Sequence, residues 1–183
     1  MSIADKYRPQ YKYEDYLVWE GRWELIDGMP YAMSPAPAAD HQKINGRLWS
    51  IFENALQAGC DKCEAYLPID WKINENTVIQ PDLVIVCSKL KKKYLDFTPS
   101  VTIEILSPST ALKDRHEKFE LYEQEGVQYY IIVDPQFKKI EIYQLKKGKY
   151  QLTNIPSANA EFTLKGGYQF SINLDSIWNP VRK

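Results

Sequence analysis

The chain of 183 residues has no run of about 18 consecutive apolar residues, the length needed to cross a bilayer. Its first twenty residues are polar and aromatic, unlike a secretory leader, so a cytoplasmic protein without a membrane segment is the expectation. No glycine-rich phosphate loop of the P-loop or dinucleotide kind occurs, which argues against chemistry driven by a nucleotide cofactor. Charge of one sign is also lacking. At a net charge of −1 the whole surface does not present the cationic field that drives nonspecific binding to polyphosphates. There are three cysteines, Cys60, Cys63 and Cys87, too few and odd in number for a disulfide framework. The Cys60-Asp-Lys-Cys63 spacing supplies half of a zinc site, but no second CxxC or HxxxH completes it. Nor does a strand-CxxC-helix context suggest a redox role. The simpler reading is of small residues closing a helix after Gly59. Repeats, low-complexity tracts and linkers are absent, and the length suits one domain spanning 1–183.

What is present is a chain 44% apolar in which strand and helix patterns alternate. Tyr13 to Trp19 has the spacing of a short helix. Two strands, Trp23 to Gly28 and Met29 to Met33, flank Asp27-Gly28, a strong hairpin signal. Ser34 to Pro37 breaks the sheet. Ile44, Leu48, Ile51, Phe52, Ala55 and Leu56 then recur at helical spacing in the longest helix, about 38–58. Glu64 to Ile73 reads as a strand interrupted at Pro68, with a short extension over Thr77 to Gln80. Two continuous apolar runs, Asp82 to Cys87 and Val101 to Leu106, suit buried strands. Ser107 to Thr110 offers hydroxyls to cap a helix over 111–124, which Gly126 ends. A strand over 127–134 follows, then a hairpin of 138–145 with 150–155, and a closing segment around Gly166-Gly167. The sum is a mixed α/β sheet, of α+β class, with a helix on each side of its central strands.

Within those two buried runs stand Asp82 and Glu104. A buried carboxylate is costly unless it is paired or binds a cation. In an antiparallel hairpin whose facing residue numbers sum to about 188, Asp82 sits diagonally beside Glu104 on the same even-numbered face. Two converging carboxylates suit Mg²⁺ or Mn²⁺, oxygen-seeking ions that keep waters and leave room for a phosphate. In the helix that follows, Asp114 and Lys118 are four residues apart on one face. Alone, such a pair is an ordinary surface ion pair, but Glu104 next door favours a lysine held over the strand ends, helping a metal-bound water to attack phosphorus.

Trp23-Glu24-Leu-Ile-Asp27-Gly28, Met33-Ser-Pro, His41, Pro81-Asp82, Ile-Glu104-Ile-Leu-Ser-Pro-Ser-Thr110, Asp114-Arg-His-Glu-Lys118, Tyr122, Gly126-Val127 and Tyr130-Ile-Ile-Val-Asp134-Pro135, in that order, resemble the Uma-type restriction-endonuclease family, abundant in cyanobacteria. The resemblance runs from about residue 10 to about residue 155. It implies a restriction-endonuclease-like PD-(D/E)XK core with flanking helices and extra β-hairpins. Asp82 then matches the aspartate of the PD element and Glu104 the acid of (D/E)XK, both metal ligands, with the Ile105 carbonyl a third. Two residues after Glu104, where the motif usually has lysine, this chain has Leu106. The resemblance makes Lys118 the substitute and Asp114 its orienting partner. Glu24 matches the acid often found ahead of the PD strand, a ligand for a second metal or its water, with an edge-strand surface acid as the alternative. His41 contacts phosphate or nucleophile, or serves as a hydrogen bonder at the helix start. His116 is expected to be exposed and Tyr122 to pack in the core.

The function these residues point to is hydrolysis of DNA phosphodiester bonds with Mg²⁺ or Mn²⁺ as cofactor. A nuclease acting on RNA, or a nucleic-acid-binding module that has lost turnover, are the alternatives. Cutting both strands of a duplex calls for two sites, so a homodimer is expected.

Overall fold

The structure, a computed structural model, describes residues 8–33, 38–108, 111–154 and 158–179. The expected break at Ser34 to Pro37, the caps Ser109 and Thr110 and the strand end Ile155 lie outside the described residues. In chain order the elements begin with α1 (Tyr13–Tyr16), β1 (Trp23–Ile26), β2 (Met29–Ala32), α2 (Ala39–Gly59) and β3 (Glu64–Tyr66). Next come β4 (Trp71–Asn74), β5 (Thr77–Ile79), β6 (Leu83–Val86), β7 (Val101–Ile105), α3 (Ala111–Arg115) and α4 (Glu117–Gln124). The last are β8 (Tyr129–Asp134), β9 (Lys139–Lys146), β10 (Lys149–Leu152), β11 (Asn159–Thr163), β12 (Gln169–Asn173) and α5 (Asp175–Trp178). This is a mixed α+β chain, as its alternating patterns suggest.

Two compact units emerge. The smaller draws its described residues from Met1–Pro37, Asp70–Gln80 and Leu90–Phe97, the larger from Ala38–Ile69, Pro81–Lys89 and Thr98–Lys183. In the smaller unit a four-stranded sheet has the order β2-β1-β5-β4. Its β1–β2 hairpin pairs Ile26 with Met29 around Asp27 and Gly28, both at positive φ (48° and 75°). Positive φ at both central positions matches the strand twist, which is why Asp-Gly works as a hairpin signal here.

The larger unit is built on a six-stranded sheet of order β10-β9-β8-β7-β6-β3. Only β7 and β8 among its strand pairs run parallel, so the chain must cross over between them, and α3 and α4 make that crossing. Odd-numbered side chains of the central strands, Leu83, Ile85, Val101, Ile103, Ile131 and Val133, pack with Leu48, Phe52 and Leu56 from one stripe of α2. Phe162 and Phe170 of the β11–β12 hairpin stack on each other and meet Phe52 edge-on. Even-numbered Thr102, Glu104, Tyr130 and Ile132 are buried as well, on the opposite face. Burial of both faces is why these strands read as unbroken apolar runs and do not alternate.

Two expected elements are divided. Glu64 to Ile73 is not one strand but β3 and β4, which belong to different sheets with Pro68 between them. The helix expected over 111–124 is broken at His116, whose φ and ψ of −123° and −73° are not helical. Gly59 is the last residue of α2, and the reason for a glycine there is space and not a left-handed turn. A Cβ at position 59 would strike the Gln169 carbonyl oxygen and crowd Phe170. Gly59→Ala gains about 1 kcal/mol of helix propensity but forces a backbone clash costing about 1–3 kcal/mol. The expected net is destabilisation on the order of 1 kcal/mol, read as a lower urea midpoint at unchanged slope. A midpoint at or above that of wild type would show that β12 yields freely at this contact.

Candidate active site

β6 and β7 are antiparallel with Leu83 opposite Ile103, so extending the ladder by one residue sets Asp82 level with Glu104. The diagonal register expected from the sequence is thus replaced by one shifted by two. The shared face survives, because only an odd shift turns side chains over. Asp82 Oδ2 accepts a hydrogen bond of 2.9 Å from the Ile105 backbone N–H. The same oxygen lies 3.1 Å from His41 Nε2, in the first turn of α2. Burial disfavours the imidazolium, but the hydrogen bond and charge of Asp82 outweigh it and hold His41 above its ordinary pKa. One turn further along α2, Asn45 donates from Nδ2 to the Asp82 carbonyl at 2.9 Å. Its Oδ1 is buried with no hydrogen-bond partner among the described residues.

Glu104 is 3% exposed. Its Oε1 accepts hydrogen bonds from Lys118 Nζ at 2.9 Å and from the Tyr122 hydroxyl at 2.5 Å. Lys118 and Asp114 are each 2% exposed, and Lys118 Nζ stands 3.7 Å from Asp114 Oδ1. The break at His116 falls between them, so Asp114 ends on α3 and Lys118 begins α4. Beneath this pair the Tyr130 hydroxyl donates to the Asp114 carbonyl at 2.8 Å. Complete burial, reinforced by the charges of Glu104 and Asp114, pushes the Tyr130 phenol well above its usual pKa and keeps it a donor. Beyond these groups, Arg115 and Lys139 bind the two oxygens of Glu141 at 2.6 and 2.5 Å. Burial opposes that carboxylate's charge, yet these two cations hold its pKa below the ordinary value.

The structure therefore gathers Asp82, His41, Glu104, Lys118 and Asp114 in the larger unit, and it adds Asn45, which sequence reasoning passed over, and Tyr122, which it assigned to packing alone. Tyr122 packs in the core as expected, yet its hydroxyl serves Glu104; a tyrosine one turn beyond a lysine aimed at a buried acid is the signal that was available. Asn45 follows His41 by four residues, the same helical signal. Glu24 belongs to the smaller unit, where it is fully buried in β1 and accepts the Gln80 N–H at 3.0 Å. β1 lies inside its sheet, which corrects the alternative of an edge-strand surface acid. His116 is exposed. Leu106, at the position of the usual motif lysine, is 9% exposed and its N–H donates to the Val133 carbonyl at 2.8 Å, so that position is committed to the sheet.

Whether a hard divalent ion suits this place turns on its donors. Asp82, Glu104 and the Ile105 carbonyl would all offer oxygen donors. Among the described residues no trio of His, Asp or Glu ligand atoms gathers here within 4.8 Å. A small protein ligand set completed by water is what Mg²⁺ prefers, so the residues fit such an ion. The Lys118–Glu104 pair makes a separate test. Breaking a buried pair strands one charge at a cost of about 3–5 kcal/mol, whereas removing both ends costs far less. Lys118→Met is expected to destabilise on that scale, and Lys118→Met with Glu104→Gln to recover much of the loss in chemical denaturation. Additive losses in the double variant would mean that the pair is not coupled.

Comparison with known proteins speaks to the family and the fold. An uncharacterized protein of Synechocystis sp., slr1290, is 30% identical over 175 residues, covering 91% of each chain. A crystal structure described as a putative nuclease belonging to DUF820, from Anabaena variabilis, superposes with a TM-score of 0.71 at 16% identity, covering 91% of this chain and 96% of that one. At that identity the match speaks for a shared fold. The family model Uma2, described as "Putative restriction endonuclease", matches residues 13–175, and the chain belongs to that family.

Proposed function

We propose that the protein is an endonuclease that hydrolyses DNA phosphodiester bonds with Mg²⁺ or Mn²⁺ held by Asp82, Glu104 and the Ile105 carbonyl. The observation that carries this reading is the placement of Asp82, anchored on the amide of Ile105, level with Glu104, which Lys118 and Tyr122 engage in turn. Bound there, the ion would neutralise the scissile phosphate and acidify the attacking water. The chain's own residues do the rest. Ile105 N–H and His41 fix the orientation of the Asp82 carboxylate, and Tyr122 fixes that of Glu104. Lys118, steadied by Asp114, directs its ammonium to the reacting centre, where it orients the water and offsets charge on the pentacovalent phosphate. His41 stands on the α2 side as a contact for phosphate. The products would carry 5′-phosphate and 3′-hydroxyl ends. Cleavage of both strands would use two copies, so a homodimer of twice the 21.4 kDa chain mass is part of the proposal and light scattering measures it.

One observation favours a second reading. With Leu106 buried in the motif-lysine position and Lys118 tied to Glu104, a nucleic-acid-binding module without turnover would keep the same architecture. Incubation of supercoiled and linear DNA, and of RNA, with wild type and Asp82→Asn in Mg²⁺ or Mn²⁺ separates the two. Asp82→Asn keeps the shape of the side chain, and a loss of about 10²- to 10³-fold in cleavage is expected, the scale for removing one charge-stabilising group. Equal cleavage by both proteins would remove Asp82 from the mechanism. DNA retention with no metal-dependent cleavage by wild type would support the binding module.

A further inference from the structure

The three cysteines, set aside in the sequence for want of a fourth ligand, come together in the fold. β3 pairs with β6 so that Glu64 faces Val86, and one step outward the same register sets Cys63 against Cys87, with Cα atoms 3.9 Å apart. Cys60 caps the C-terminal end of α2, and its two-residue spacing from Cys63 returns it to the same spot. All three Sγ atoms lie within 4.8 Å of one another. Cys60 and Cys63 are buried at 4% and 6% exposure, and Cys87 is partly buried. Among the described residues this is the one group of three or more His, Cys, Asp or Glu side chains whose ligand atoms converge in this way.

Two plainer accounts fit less well. Three thiols packed as small apolar groups have no reason to aim their sulfurs at a common point. A disulfide uses two sulfurs, whereas Cys63 Sγ sits against both of the others, and whichever bond formed would leave a third thiol in the cluster. The Cα separation of Cys63 and Cys87 is also below the usual range of about 4.4–6.8 Å for a disulfide. A zinc ion with Zn–S bonds of about 2.3 Å would hold its sulfurs about 3.8 Å apart at tetrahedral angles, so binding would draw Cys63 Sγ away from the two sulfurs it touches here.

We propose that Cys60, Cys63 and Cys87 bind one Zn²⁺ through three thiolates, with the fourth position taken by water or another small donor. Zn²⁺ is preferred because thiolates select soft or borderline ions and a divalent charge leaves the buried trio with one net negative charge. Binding releases the three thiol protons to solvent. The site is separate from Asp82 and Glu104: Asp82 precedes β6 and Cys87 follows it, five residues and about 16 Å of strand away. Its role is structural, a clip that ties the end of α2 to the β3–β6 edge, and it stands whether or not the nuclease reading does.

The test uses full-length protein reduced and freed of metal under anaerobic conditions, with the three thiols counted first. Titration with Co²⁺ should produce a thiolate-to-cobalt absorption in the near ultraviolet that saturates at one equivalent and is displaced by Zn²⁺. Asp82→Asn should retain this band, and its Tm should rise with Zn²⁺. Cys63→Ser should lose both the band and the Tm response, as should Cys87→Ser, so that failure of one variant to fold leaves the other to report. Absence of a thiolate band in fully reduced wild type would overturn the proposal. So would a disulfide linking Cys63 to either neighbour that persists in protein isolated from reducing cytoplasm with Zn²⁺ present.

Discussion

The larger unit is organised around a single electrostatic difficulty: a glutamate in the middle of a strand that is buried along its whole length. Glu104 lies on β7 with apolar neighbours on both sides, and burying its charge without compensation would cost several kcal/mol. The fold answers with Lys118 and Tyr122, both delivered by one helix, and places Asp114 behind the lysine. That answer bears on topology. The helices that reach the even face of β7 are also the crossover that its parallel pairing with β8 requires, α3 and α4. One connection thus supplies both the parallel pairing and the partners of the acid.

Much of this was legible in the residues, for identifiable reasons. The runs at 83–86 and 101–105 are apolar because both faces of their sheet are covered, and that pattern survives any detail of register. The register itself was misjudged by two. It depends on the path of the long loop between β6 and β7, whose irregular backbone has no sequence period. Asp82 and Glu104 share a face regardless, because parity fixes the face and tolerates an even shift. The break at His116 was hidden for a similar reason, since 111–124 contains no proline or glycine to announce it.

What the sequence could not display were contacts made by residues with an obvious alternative occupation. Tyr122 packs like any core aromatic, and only its distal hydroxyl belongs to Glu104. Glu24 looks like a surface acid in a short hairpin strand until β5 arrives on its other side and encloses it. The cysteines are the clearest instance. A CxxC pair and a lone cysteine 24 residues further on carry no joint signature, and they meet because β3 and β6, which are not consecutive strands, are paired.

The anchoring of Asp82 also bears on how this site tolerates genetic variation. Its carboxylate hangs on a main-chain amide, and every amino acid but proline offers the same amide at position 105. A change of side chain at 105 that the core accommodates would leave that hydrogen bond to the aspartate in place. A site held in this way depends on the main chain at 105 and not on which side chain stands there.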